Sequence, residues 1–145
     1  LFEGTLEEIV AVAILMPIVA SMGGNAGTQT MTVTVRALAM KELSATNAMR
    51  VVGKEVLVGG INGVLFAILS GVVAWFWFEN IGLGLVIAMA MVVNMLVAGI
   101  AGTTIPLFLE RLGADPAVAS SVFLTTITDV VGFAAFLGLA AVFLL

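Results

Sequence analysis

One carboxylate stands alone in a stretch that otherwise reads as lipid solvent. In Leu124-Thr125-Thr126-Ile127-Thr128-Asp129-Val130-Val131-Gly132, Asp129 is the sole charge between Pro116 and Leu145. A helix of that run is long enough to cross a hydrocarbon core of ~30 Å, and it sets Asp129 near mid-depth. A charge there costs at least ~2.5–3.5 kcal/mol, so it is kept for a task and faces protein or water rather than lipid. On a helix, Ser121, Thr125 and Asp129 fall at i, i+4 and i+8. Gly132 extends the stripe at i+3, with Thr126 and Thr128 flanking it. Ser21, Asn25, Thr28 and Thr32 form a comparable stripe at steps of 4, 3 and 4. Two polar stripes, one holding a carboxylate, suit a water-filled path lined by oxygen. The alternative for each threonine is a hydroxyl bonded to its own helix's i−4 carbonyl.

The donor set narrows the chemistry. Carboxylate, hydroxyl, amide and backbone carbonyl are all oxygen ligands, which favour hard cations such as Mg²⁺, Ca²⁺ or Mn²⁺. One intramembrane acid is too few for a dry protein cage, whereas Mg²⁺ keeps several waters and suits a single carboxylate among neutral oxygens. Two chains meeting on a two-fold axis along this stripe would turn two Asp129 carboxylates toward one ion. The chain has no Cys and no His. Thiolate chemistry, disulfides, a Ser/His dyad and an HExxH zinc site are therefore excluded. An intramembrane aspartyl protease needs a second buried acid, and Asp115 lies at the membrane edge. Phosphate loops and basic nucleic-acid patches are absent. We expect no enzyme and no nucleic-acid partner.

The elements that carry these residues are membrane helices. Of the 145 residues 62% are hydrophobic and 10% charged, and the mean hydropathy is +1.28, far from an ordinary soluble domain. Four uncharged runs, Ile9–Val35, Val56–Phe78, Asn80–Leu109 and Pro116–Leu145, are each long enough to span. They predict one all-α integral membrane domain over 1–145, with helices at 6–39, 55–78, 82–109 and 116–145. The basic residues Arg36, Lys41, Arg50 and Lys54 fall between the first two runs, and Arg111 between the last two. The positive-inside rule makes these loops cytoplasmic, with both ends of the chain outside a multi-pass plasma-membrane protein. Leu1-Phe2-Glu3-Gly4-Thr5-Leu6-Glu7-Glu8 lacks a basic leader region and begins without Met, as a piece of a longer protein would.

Small residues punctuate the runs. Gly23-Gly24-Asn25-Ala26-Gly27-Thr28-Gln29-Thr30 follows Ile9–Met22, apolar but for Ser21. Glycine weakens a helix by ~1 kcal/mol relative to alanine. The polar neighbours predict a weakened or broken helix exposing carbonyls to a cavity; the alternative is a tight helix crossing. Gly59 and Gly63 have helix-packing spacing. Trp75, Phe76, Trp77 and Phe78 close the second run as an outer aromatic belt. In the third run, Asn94 reads as an interhelical hydrogen-bond partner, Gly102 as a packing position and Pro106 as a kink. Pro17–Ser21 and Pro116–Ser120 faintly echo each other, as though each opened a segment of an inverted repeat.

Gly23-Gly24-Asn25-Ala26-Gly27-Thr28-Gln29, with Thr32-Val33-Thr34-Val35-Arg36-Ala37-Leu38-Ala39 after it, resembles the signature of MgtE-type magnesium channels. Lys54-Glu55, Gly59, Asn62-Gly63, Asn94, Gly102-Thr103 and Pro106 follow that family's membrane domain in order. Asp115–Ser120 and Thr125–Gly132 complete the likeness, which covers nearly the whole chain. The resemblance implies a homodimer with five helices per subunit, this chain lacking the first, and a pore at the two-fold interface. It implies that Asp129 holds hydrated Mg²⁺, with Mn²⁺, Co²⁺ and Ca²⁺ as competitors. Ser21, Gly24, Asn25, Gly27, Thr28, Ser121, Thr125 and Thr126 are expected along the path. Many members carry a cytoplasmic N-terminal domain and CBS domains that close the pore, and neither is in this chain. One departure stands out: Ser121-Val122 lies where many members show a small residue followed by Pro.

The expectation is a channel passing hydrated Mg²⁺ into the cytoplasm through Asp129. A Na⁺- or H⁺-coupled divalent-cation carrier of the same fold is the alternative. A membrane assembly subunit without transport is the third reading.

Overall fold

The computed structural model describes residues 3–44 and 46–145; Leu1 and Phe2, which open the acidic start of the chain, and Ala45 lie outside them. Four helices follow one another: α1 Glu3–Ala39, α2 Ala48–Phe78, α3 Ile81–Arg111 and α4 Pro116–Phe143. Each is long and apolar enough to cross a membrane. Even α4, with its 28 residues, spans about 42 Å at ~1.5 Å per residue, more than the hydrocarbon core. The chain is an all-helical, multi-pass membrane protein.

Local chemistry ends the helices where the charges begin. After α1, Lys41 takes the left-handed conformation (φ 57°), and the amides of Glu42 and Leu43 turn back onto the Ala37 carbonyl at 2.9 and 3.2 Å. Leu43 then buries against Leu38 and Ala48. Asn47 braces the loop by donating to the Glu42 carbonyl (2.9 Å) and accepting from the Ser44 amide (2.7 Å). Between α2 and α3 only Glu79 and Asn80 intervene; Glu79 is left-handed (φ 52°), and the Asn80 side chain caps α3 by accepting from the Leu83 amide at 3.1 Å. Asp115 caps α4 in the same way through Ala117 (2.9 Å), with Pro116 in the first turn.

Three expectations need correction. The second helix begins at Ala48, not residue 55, so Arg50 and Lys54 stand on its first turns and leave the loop shorter. The glycine-rich segment of α1 neither breaks nor unwinds, and the helix runs unbroken through Gly23–Thr30. Gly23 and Gly27 are buried against neighbouring helices, and that packing outweighs the low propensity of glycine. Pro17 lies inside α1 whereas Pro116 starts α4, so the repeated Pro17–Ser21 and Pro116–Ser120 do not open equivalent segments.

α3 is the central helix. It packs along α1, α2 and α4; α1 also packs along α4, and α1 barely meets α2. Against α2 the contact is backbone to backbone. A β-carbon on Gly59 would lie 2.9 Å from the Met95 carbonyl oxygen, one on Gly84 2.6 Å from that of Gly71, and one on Gly99 2.9 Å from that of Glu55. Gly63, Ala67 and Ala74 continue the buried stripe on α2. At the far end of α2, Trp75 and Phe76 stack at 5.0 Å between ring centroids, and Trp77 is exposed.

Candidate functional site

The seam between α1 and α4 organises the polar residues. A β-carbon on Gly24 would sit 3.8 Å from Thr128 Oγ1, and one on Gly27 would sit 2.9 Å from Leu124 Cδ1. The two helices run antiparallel, so one step along each chain from a facing contact rotates both side chains about 100° toward the same side. Asn25 follows Gly24 and Asp129 follows Thr128; they therefore open on one side of the seam, at neighbouring heights. Thr28 follows Gly27 and Thr125 follows Leu124, and they repeat the arrangement one turn nearer the α3–α4 loop.

Exposure agrees with this geometry. Ser21, Asn25, Thr28 and Thr32 on α1 are exposed, as are Thr125, Thr126 and Asp129 on α4, while Ser121 and Gly24 are half-buried. Both stripes thus lie open on the face away from α3. Other expected members turn elsewhere. Gly27 is buried under Leu124 and against Gly102, whose own β-carbon would lie 2.8 Å from the Gly27 carbonyl oxygen. Thr128 is fully buried in the seam rather than flanking the stripe. Gly132 faces Asn94 and Ala20, so it does not extend the Asp129 stripe. Helix periodicity places all three near the polar arc, but antiparallel packing of α1 on α4 covers one edge of it.

The hydroxyls are arranged in a uniform way. Thr28 donates to the Gly24 carbonyl (2.8 Å), Thr32 to Thr28 (2.8 Å), Thr125 to Ser121 (2.9 Å) and Thr126 to Val122 (2.8 Å). Each of these threonines thus adopts the i−4 bond to its own helix, the alternative to a free hydroxyl on the path. It does not remove them from the face: the hydrogen is used within the helix, and the oxygen lone pairs still point outward. Ser121-Val122 lies in an unbroken stretch of α4. Among the described residues no three acidic side chains gather as a metal site. A single chain therefore offers one carboxylate and a row of neutral acceptors.

Behind the seam stands Asn94, fully buried on α3. Its Nδ2 donates to the Val19 carbonyl at 2.8 Å, while its Oδ1 has no partner among the described residues. An unpaired buried acceptor costs about 1–3 kcal/mol. Gly23 and Gly132 flank the amide: a β-carbon on Gly132 would come within 2.8 Å of Nδ2, and one on Gly23 would overlap Nδ2. Asn94 makes the interhelical hydrogen bond expected of it, but reading one helix at a time misses the three-helix contact in which Gly23 and Gly132 flank it. Its available signal is a lone amide in the third run and a glycine in each of the two polar-striped runs.

The chain matches the family model described as "MgtE: Divalent cation transporter" over residues 16–139. It is 37% identical over 143 residues to the "Magnesium transporter MgtE" of Enterococcus faecalis and 33% identical over 143 residues to that of Bacillus subtilis. It is 35% identical over 144 residues to the protein of the same name from Thermus thermophilus. Each likeness covers 99% of this chain but 32% of the relative, so the chain spans about a third of the length of the curated relatives it matches. With all four helices inside or overlapping the matched region, this chain belongs to the MgtE family of divalent cation transporters.

Proposed function

We propose that this chain forms the membrane path of a homodimeric channel that passes hydrated Mg²⁺ down its electrochemical gradient into the cytoplasm. The observation that carries the reading is the open face of α1 and α4, where Asp129 and a row of polar side chains are exposed on helices of membrane-spanning length. Left against lipid, Asp129 alone costs at least ~2.5–3.5 kcal/mol. A second copy related by a two-fold axis covers that face, encloses water and sets two Asp129 carboxylates across one path. The names of the relatives point to Mg²⁺ as the cargo.

The chemistry follows from hydration. Waters around a small divalent ion direct their hydrogens outward, and Mg²⁺ gives them up reluctantly. A wall that takes the ion with its waters must therefore accept hydrogen bonds. Thr28, Thr125 and Thr126 are acceptors because their hydrogens are committed within the helix, and the Asp129 carboxylate is an acceptor with charge. Asn25 and Ser21 add further oxygens on the α1 side. The paired carboxylates balance the divalent charge, and the path carries the ion without stripping it. The basic ends of the helices lie in the cytoplasm and both ends of the chain outside.

Reconstitution in liposomes with an internal Mg²⁺ indicator tests the reading. The protein should admit Mg²⁺ at rates above carrier turnover and without added Na⁺ or a proton gradient, and Asp129→Ala should stop uptake while leaving dimer assembly intact. Normal uptake by Asp129→Ala overturns the ion site. Strict dependence on Na⁺ or on a proton gradient replaces the channel with a coupled carrier.

A further inference from the structure

We infer that the Asn94 amide sets the register of α1 against α4 and so positions Asp129 opposite the Asn25 and Thr28 wall, an inference that rests on Asp129 being the ion site. Asn94 reaches neither the open face nor the ion. It belongs to α3, the helix that packs along both walls, and its side chain enters the place where they come together. The bond from Nδ2 to the Val19 carbonyl ties it to one turn of α1. On the other side, Gly132 supplies the gap in α4.

That gap occurs at one register. One turn along α4 in either direction brings Thr128 or Phe136 to the position of Gly132. Each carries a β-carbon, and a β-carbon there falls 2.8 Å from Nδ2 and 3.1 Å from the Ala20 Cα. On α1, a one-turn shift brings Val19 or Gly27 to the position of Gly23. Val19 is blocked by its β-carbon, and the shift that brings Gly27 there also brings Met31 to the position of Gly27, where a β-carbon falls 2.9 Å from Leu124 Cδ1. Packing alone does not call for an amide. Asn94 is fully buried between the Val19 carbonyl, Gly23 and Gly132, and its Oδ1 lacks a partner among the described residues. An aliphatic side chain of similar size would fill the slot without that unpaired oxygen, but it would carry no directional bond to α1.

The test reads register and transport separately. This chain has no cysteine, and Gly24 faces Thr128 across the seam, its β-carbon position 3.8 Å from Thr128 Oγ1, so a cysteine pair at these two positions reports on the register. The pair Gly24→Cys/Thr128→Cys is introduced into the full protein, with Asn94 intact, Asn94→Leu or Asn94→Ala, and oxidation within one chain is followed by mass after proteolysis. Asn94→Leu fills the slot and Asn94→Ala empties it, so the two cannot fail to fold for the same reason. In both, disulfide formation should slow by about fivefold or more, since the rate follows thiol geometry. Without the cysteines, the same variants should raise the Mg²⁺ concentration for half-maximal uptake by about tenfold, as loss of a supporting residue does at metal sites, with the maximal rate per folded dimer less affected. Unchanged cross-linking in both variants overturns the inference whatever happens to uptake. Slowed cross-linking with unchanged half-saturation upholds the register role of Asn94 and removes Asp129 as the ion site.

Discussion

Glycine does opposite work at the two main helix contacts. Along α2 and α3, Gly59, Gly71, Gly84 and Gly99 let backbones touch, with any β-carbon meeting a carbonyl at 2.6–2.9 Å. Among the described residues the Ser70, Thr103 and Thr104 hydroxyls bond within their own helices, and the outer surface of α2 is largely apolar and exposed. Along α1 and α4 the glycines are placed on the inner edge of a seam whose other edge is lined by Asn25, Thr28, Thr125 and Asp129. There they admit an amide and bring two polar stripes side by side. The same residue type marks pure packing in one place and the back of an exposed polar face in the other. What separates them is the residue one step further along the chain: Val64 and Val72 beyond Gly63 and Gly71 on α2, but Asn25, Thr28 and Asp129 beyond Gly24, Gly27 and Thr128.

That contrast can be broken at either end. The largest effect is expected from Asp129→Asn, which keeps the shape and removes the charge. Mg²⁺ uptake in liposomes should fall to the level of protein-free vesicles. Thermal stability in lipid should hold or rise, because a charge costing at least ~2.5–3.5 kcal/mol at mid-depth is gone. Uptake retained in this variant would place the ion elsewhere. Next is Gly84→Val on the packing side, where overpacking against the Gly71 carbonyl should cost about 1–3 kcal/mol. Thermal unfolding should report the loss, while the surviving folded protein keeps its Mg²⁺ half-saturation; a shifted half-saturation would mean that the two contacts are coupled. A finer division lies within α1. Gly23→Ala meets Asn94 and should cost about 1 kcal/mol, whereas Gly24→Ala makes only an ordinary contact, 3.8 Å to Thr128 Oγ1, and should stay within about 0.5 kcal/mol of the parent in the same melt. Equal melting temperatures for the pair would remove the slot. The smallest effect is that of Thr125→Val, which deletes an outward oxygen and an internal hydrogen bond but keeps the volume. Stability should move by less than about 0.5 kcal/mol. Half-maximal Mg²⁺ concentration should rise about twofold to fivefold, the effect of one acceptor; no change would leave Thr125 off the path.

The helices, and the singular position of Asp129, were legible because lipid imposes a strict requirement: long uncharged runs with every exception visible. The stripe Ser21–Asn25–Thr28 was legible too, since periodicity alone orients residues on one helix. What could not be read was how a second helix would cover that arc. Thr128 and Gly132 share a face with Asp129 in a helical projection, yet α1 and Asn94 claim them. The persistence of α1 through Gly23–Gln29 was hidden for the same reason, because glycine's local penalty is visible in one dimension and the packing that offsets it is not. The early start of α2 at Ala48 was masked by Arg50 and Lys54, whose charges suit an interfacial helix as well as a loop.

The committed threonine hydrogens have a consequence for sign. A free hydroxyl greets either kind of ion, turning its hydrogen toward an anion or its lone pair toward a cation's water. Thr28, Thr125 and Thr126 have lost that choice, each hydrogen being held by a carbonyl one turn back. On the proposed path, an anion beside these three residues would find no hydroxyl proton to share while those bonds hold. A preference for cations would thus be written into neutral residues by the helix they stand on.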